Sequence, residues 1–245
     1  MLSPRPEALL RVWEEQQAAH PVRRALALLA ACTPAHGWAA WAQAPIGARD
    51  GALMALHETL FGAALHTTAS CDDCGERLES SFGVHDVCAP RVAEPGAWPA
   101  LSLRQGDVEI DYRLPCSEDL LLADGDDAEA ACTQILRRCV LHARQAGGEL
   151  PPQALSPALA DAVAAAMAAE DPRADIRIGL ACPACGATHE RTFDIVAYLW
   201  SELDDWAQRL LADVHRLASA YGWTEADVLA LSPTRRRLYL DMVAP

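Results

Sequence analysis

Two pairs of cysteines dominate the chemistry available to this chain: Cys71-Asp72-Asp73-Cys74-Gly75 and Cys182-Pro183-Ala184-Cys185-Gly186. Together they supply four thiolates, the full ligand set of one closed, tetrahedral structural zinc site. A closed set leaves no coordination position for a substrate, so the expected role of the metal is structural. The glycine after each second cysteine turns the backbone at positive φ, where a Cβ would be costly. Turn N–H groups then face the sulfurs and tune them. Two other readings stand beside this one: a site that takes no metal, and a thiol–disulfide pair. A redox pair normally opens a helix in a βαβ setting, whereas both knuckles here lie between β-like runs.

Those runs are Leu65 to Ala69 and Leu78 to Val84 around the first knuckle, and Ile176 to Ala181 and Thr188 to Ile195 around the second. Strand, knuckle, strand is half of a zinc ribbon. Between Cys74 and Cys182 lie 107 residues, so the two halves bracket a long insertion and the metal offsets the entropy of closing it. The expected fold is α+β and mostly helical: a split four-cysteine ribbon, an inserted α-rich module and a long C-terminal helix. N-terminal helices occupy 1–63, the split ribbon 64–196 with its insertion at about 88–173, and a C-terminal helical segment 194–245, all in one interlocked domain.

The periodicity places helices at Pro6 to Ala19, Pro21 to Cys32 and Arg49 to Phe61, with a loop over 33–48. A Pro/Gly-rich linker covers 88–100. A strand runs from Val108 to Leu114, and Ser117 opens a helical stretch. Helices follow over Asp126 to Arg144 and Pro157 to Glu170. From Asp194 to Ala220 one helix carries the stripe Leu199, Leu203, Trp206, Leu210, Val214 and Leu217, continuing to Tyr221. A second stripe of Trp200, Ala207, Leu211 and Ala218 widens the apolar surface, for burial in the core or, in part, for a partner. Gly222 reads as its C′ residue, Thr224 with Asp227 as a capping box, and Ser232-Pro233 as the start of a last helix.

The 245 residues include 34 acidic and 20 basic side chains, giving a formal charge of −14, and every basic residue is arginine. One zinc with four thiolates would take this to about −16. That balance opposes phosphate neutralisation and so opposes nucleic acid as a partner. No apolar run reaches membrane-spanning length. Nine cysteines, an odd number, indicate a reducing, cytoplasmic setting.

No catalytic set stands out. His57-Glu58 lacks a second histidine at metalloprotease spacing. His66, His85 and His189 lie near the knuckles as substitute ligands or as ordinary surface histidines. Cys32, Cys88, Cys116, Cys132 and Cys139 read as small core residues. Arg235 to Arg237 form either an anion-docking patch or a solvated helix face.

The order of several further motifs carries a resemblance. These are Ile46-Gly47-Ala48-Arg49-Asp50, Leu60-Phe61-Gly62, the first knuckle with Glu76, and Arg113-Leu114-Pro115-Cys116-Ser117-Glu118-Asp119-Leu120. Arg137-Arg138-Cys139, Asp171-Pro172-Arg173-Ala174-Asp175, the second knuckle and Leu199-Trp200-Ser201-Glu202 come next. The series ends with Val214-His215-Arg216-Leu217-Ala218, Tyr221-Gly222-Trp223-Thr224-Glu225, Leu231-Ser232-Pro233 and Arg235-Arg236. In this order, over nearly the whole chain, they resemble the baseplate hub assembly chaperone family of T4-type phages, found also in phage-tail-like contractile injection systems. Asp72-Asp73 departs from the more usual Pro-x pair. The resemblance implies a non-enzymatic role in building a contractile-tail baseplate, in the cytoplasm or also in the assembled particle, with a baseplate, hub or spike protein as partner. Trp200, Trp206, Tyr221 and Trp223 are suited to anchoring an interface, with burial in the chain's own core as the other reading. Two other classes are a zinc-ribbon nucleic-acid-binding regulator, marked by a basic face, and an enzyme with a pocket of perturbed titratable groups.

Overall fold

The computed structural model describes residues 4–87, 95–123 and 127–243. Pro6–Glu15 (α1) and Pro21–Cys32 (α2) each begin on a proline, where the missing N–H costs nothing. Gly37–Gln43 forms α3 and Ile46–Phe61 forms α4, where a loop to 48 and a helix from Arg49 were expected. The reason is tertiary: the Ile46 amide bonds the Pro115 carbonyl at 3.0 Å, so a distant segment serves the first turn of α4. Its core-facing residues Ala52, Leu53, Met54 and Leu56 are fully buried.

Gly62 ends α4 at φ 98°, and the chain enters the first hairpin, β1 (Ala64–Ser70) paired antiparallel with β2 (Arg77–Gly83). A single-turn helix, α5 (Val84–Val87), follows. The expected linker over 88–100 falls partly on 88–94, outside the described residues. The insertion then opens with β3 (Leu101–Gln105) and β4 (Val108–Tyr112), followed by α6 (Ser117–Leu122) and α7 (Ala128–Cys139). Helix α7 stops well short of Arg144, because Val140–Gln145 forms β5 and pairs with β4. Without it, the edge beside the buried Ile110 and Tyr112 would stand unpaired. β6 (Gly148–Glu149) completes an antiparallel sheet of order β3-β4-β5-β6, so the inserted module combines this sheet with helices α6, α7 and α8. Helix α8 (Pro157–Glu170) packs its buried Val163 and Met167 on Ile110, Tyr112 and Cys139.

The second hairpin is β7 (Arg177–Ala181) with β8 (Thr188–Thr192). Helix α9 (Ile195–Tyr221) is 27 residues long, about 40 Å at 1.5 Å per residue. Asp194 caps its start and Gly222 its end at φ 68°. The short α10 (Glu225–Leu229) carries the expected capping box of Thr224 and Asp227, and α11 (Pro233–Val243) closes the chain. The first half of α9 joins α1, α2 and α4 in the main core. Its second half makes a separate core with α10, α11 and Leu10 of α1. Trp13 Nε1 donates to Asp204 Oδ1 at 2.7 Å and ties α1 to α9 between the two.

Of the two readings of Trp200, interface anchor or core, it takes the second: it is buried. It lies in the main core, with the Arg24 guanidinium 4.5 Å from its ring centroid. Trp200 and Ala207 of the second stripe are therefore buried within the chain's own cores, while Leu211 and Ala218 stay half-buried. Trp223 stacks on Tyr221 at 4.7 Å and meets the edge of Tyr239 at 4.9 Å, fastening α9 to α11. Cys32, Cys116 and Cys139 are buried as expected, Cys132 is exposed, and Cys88 lies outside the described residues.

A buried polar seam joins the insertion to α4. Asp119, fully buried, takes both ends of the Arg113 guanidinium at 2.6 and 2.8 Å, Arg138 Nε at 2.9 Å and the Cys116 amide at 3.0 Å. These donors hold its carboxyl far below the usual range despite the opposing effect of burial. Arg49 Nε bonds Asp50 at 2.7 Å, and its Nη1 reaches Ser117 Oγ at 3.3 Å. Asp171 accepts the Gly47 amide at 2.8 Å, satisfying one of the orphan donors at the start of α4.

Candidate metal centre

Both knuckles fold by the same local rule. The Cys71 amide bonds the Glu76 carbonyl at 2.8 Å and the Gly75 amide returns to the Cys71 carbonyl at 3.0 Å. The Cys182 amide bonds Ala187 at 2.8 Å and the Gly186 amide returns to Cys182 at 2.9 Å. Gly75 and Gly186 make these turns at φ 75° and 78°, the conformation expected from their type. Each turn projects two thiols from the end of its hairpin. The first cysteine of each pair is buried and the second exposed.

The fold brings the two knuckles together. The sulfurs of Cys71, Cys74, Cys182 and Cys185 all lie within 4.8 Å of one another. Cys71 Sγ is 3.6 Å from Cys185 Sγ, and Cys74 Sγ is 3.6 Å from Cys182 Sγ. A tetrahedral ion with sulfur ligands at about 2.3 Å requires sulfur–sulfur edges of about 3.8 Å. The quartet fits that size, and all four cysteines are free thiols. A small apolar cluster of Leu78, Leu180 and Ala187 backs Cys71 and Cys182.

The electrostatics of the four thiols differ. Cys71 is lowered to about 6, first by the Cys74 amide and then by the Asp73 amide and His189, against burial. Cys74 is raised to about 12: the Glu76 amide pulls it down, but the thiols of Cys182, Cys185 and Cys71 and burial outweigh it. Cys185 is raised in the same way, the Ala187 amide being outweighed by Cys182, burial and Cys71. The first thiolate thus forms readily and opposes the next. A cation at the centre removes that opposition, so the donor set suits a soft divalent ion.

His189 is the residue that sequence reasoning left undivided from two others. Its Nε2 lies 3.2 Å from Cys71 Sγ and its Nδ1 lies 3.5 Å from Asp72. His66 instead meets Ser81, and His85 meets Glu58. The period-2 geometry of β8 held the distinguishing signal. His189 and Arg191 share one face, and Arg191 reaches across to Asp72 and the Ser70 carbonyl. One face of the second hairpin therefore clasps the first knuckle. Arg191 also holds the Asp72 carboxyl below its usual range, so Asp72-Asp73 has a positioning contact that a Pro-x pair would lack.

Comparison with protein-family models, with curated proteins and with solved structures finds no match to this chain. Among the described residues, no helix is long and apolar enough to cross a membrane.

Proposed function

We propose that this protein is a non-enzymatic assembly factor or component of a contractile phage-tail-like baseplate, stabilised by one structural Zn²⁺ and binding a baseplate or hub protein. Cys71, Cys74, Cys182 and Cys185 would hold the ion, making the two hairpins the halves of a split zinc ribbon. The zinc supplies a cross-link between segments far apart in sequence and no chemistry on a substrate.

The observation that carries the reading is the convergence of the ordered motifs. Ile46-Gly47-Ala48-Arg49-Asp50, the Arg113-to-Leu120 stretch, Arg138-Cys139 and Asp171-Pro172 all supply contacts to the seam around α4. Residues so placed build a rigid body. The cysteines of the seam have thiols raised by burial, Cys139 to about 12, which keeps them protonated and poorly nucleophilic at neutral pH. The −14 charge speaks against the nucleic-acid-binding alternative.

Two measurements test this reading. Elemental analysis of protein purified without chelator should give about one zinc per chain, lost in Cys185→Ser; stable wild-type protein without metal refutes the zinc site. Deleting the gene should leave tail subunits without complete baseplates. Normal contractile particles in the deletion strain would refute the assembly role.

A further inference from the structure

Near the C-terminus, α9 and α11 enclose an open groove of about 700 Å³ that the metal centre does not touch. Trp206, Leu210 and Leu240 give it an apolar lining. Four arginines also line it: Arg209 and Arg216 from α9, Arg236 and Arg237 from α11. Arg236 is only 8% exposed, yet its Nε has no hydrogen-bond partner. One of its Nη atoms makes a long bond of 3.4 Å to the Leu231 carbonyl. Among the described residues none of the four arginines stands in an ion pair, while Arg113 and Arg138 of the seam both do. Scarcity of acids does not explain this, since 34 carboxylate side chains face 20 arginines in the chain.

A buried guanidinium without an anion is costly, and its rigid donor fork matches a carboxylate in two-point contact. We propose that this groove is a carboxylate-binding site built around Arg236, and that it receives an acidic segment of a protein partner with an apolar face. The apolar lining calls for a ligand that carries hydrocarbon beside its charge, as an amphipathic acidic helix does. Asp213 and Asp241 also line the groove. They reduce its net positive charge and disfavour a polyanion such as nucleic acid. The site itself is a property of the purified chain; only the choice of a protein partner rests on the assembly reading.

The test uses the full-length protein and two synthetic helical peptides: one with a leucine face and a glutamate face, and its twin with glutamine for glutamate. Titration calorimetry at low salt should show the glutamate peptide binding at least about tenfold tighter. Arg236→Gln should abolish the preference. Because Arg236 is buried, its loss could disturb folding, so the double change of the exposed Arg209→Gln and Arg216→Gln is the second probe and should weaken binding several-fold without altering the circular dichroism. Equal affinity for the two peptides overturns the site. So does Arg236-dependent binding of inorganic phosphate or of a duplex oligonucleotide that excludes the peptide. A selective groove in a strain that assembles normally without the gene would discard the assembly role and keep the site. A defective strain with an unselective groove would do the reverse.

Discussion

Gly47 lies where two distant parts of the chain meet, and adding one methyl group there should separate them. A Cβ on Gly47 would stand 1.9 Å from Asp171 Oδ1 and 2.7 Å from its Cγ, with the Ala174 amide at 3.0 Å. Asp171 would have to move and give up the Gly47 amide, a 2.8 Å bond between buried groups. A hydrogen bond to a charged group contributes about 1.5–3 kcal/mol, and forcing a methyl into a packed site costs about 1–3 kcal/mol. Alanine's better helix propensity returns up to about 1 kcal/mol. Gly47→Ala should therefore destabilise the protein by about 1.5–6 kcal/mol, a fall of about 3–24 °C in Tm at this chain length. The decisive assay is a double-mutant cycle by thermal or urea unfolding. In an Asp171→Ala background only the Ala174 contact remains, so the same change should cost within about 1 kcal/mol. Equal costs in both backgrounds, or a cost below about 1 kcal/mol in the wild type, would refute the seam.

His57 supplies a pH prediction. It is 1% exposed, neither ring nitrogen has a partner in good hydrogen-bond geometry, and Phe61 and Tyr198 pack against it. Burial lowers its pKa, opposed by Glu202, the Gly62 backbone and Glu58, so the unfolded chain binds a proton before the native one does. Its neutral form supports full stability above the unfolded value of about 6.5, and that support falls as pH drops below it, by at most about 1.4 kcal/mol per unit. The difference in pH slope between wild type and His57→Leu reads this effect free of the carboxylates and thiols they share; parallel slopes would refute it. Chelation supplies another test. With the proposed zinc removed, hydrogen exchange should show protection lost first in β1, β2, β7 and β8 and retained over 46–56, because the seam has no cysteine ligand of that site; simultaneous loss would show one cooperative unit.

The knuckles were legible because their information is local. Spacing, the glycine and the flanking β-like runs all fall within a few residues, and four thiols demand a common centre whatever separates them. Helix α9 was legible by its period and its two caps. The seam was not. Asp119 could have paired with any of several arginines, and nothing in the spacing of Arg113 and Arg138 marks them as its partners until β4 and α7 are placed. The residues 140–144 have ordinary helical character, and only the open edge of β4 makes them a strand, an instance of tertiary context overriding propensity. The place of Trp200 stayed open for a related reason. Two apolar stripes show that a helix is covered on two sides, but not whether α1 and α2 or another protein does the covering.

Helix α4 gives the four-cysteine cluster and the seam a common physical frame. Its N-terminus is served by Pro115 and Asp171 from the insertion, and its C-terminus runs through Gly62 directly into β1 and the first knuckle. At 16 residues it spans about 24 Å, so it holds the two fastenings apart as a buried strut. A metal cross-link alone would close the 107-residue loop yet leave the inserted module free to pivot about the knuckles. The seam removes that freedom. Its polar composition follows from the same requirement. An apolar contact tolerates sliding, whereas a buried carboxylate gripped by two arginines is satisfied in one arrangement and costly in every other. The cost of burying Asp119 is accepted where register matters. Over the opposite end of α9, the groove arginines stand in no ion pair among the described residues, although Asp213 and Asp241 line the same groove.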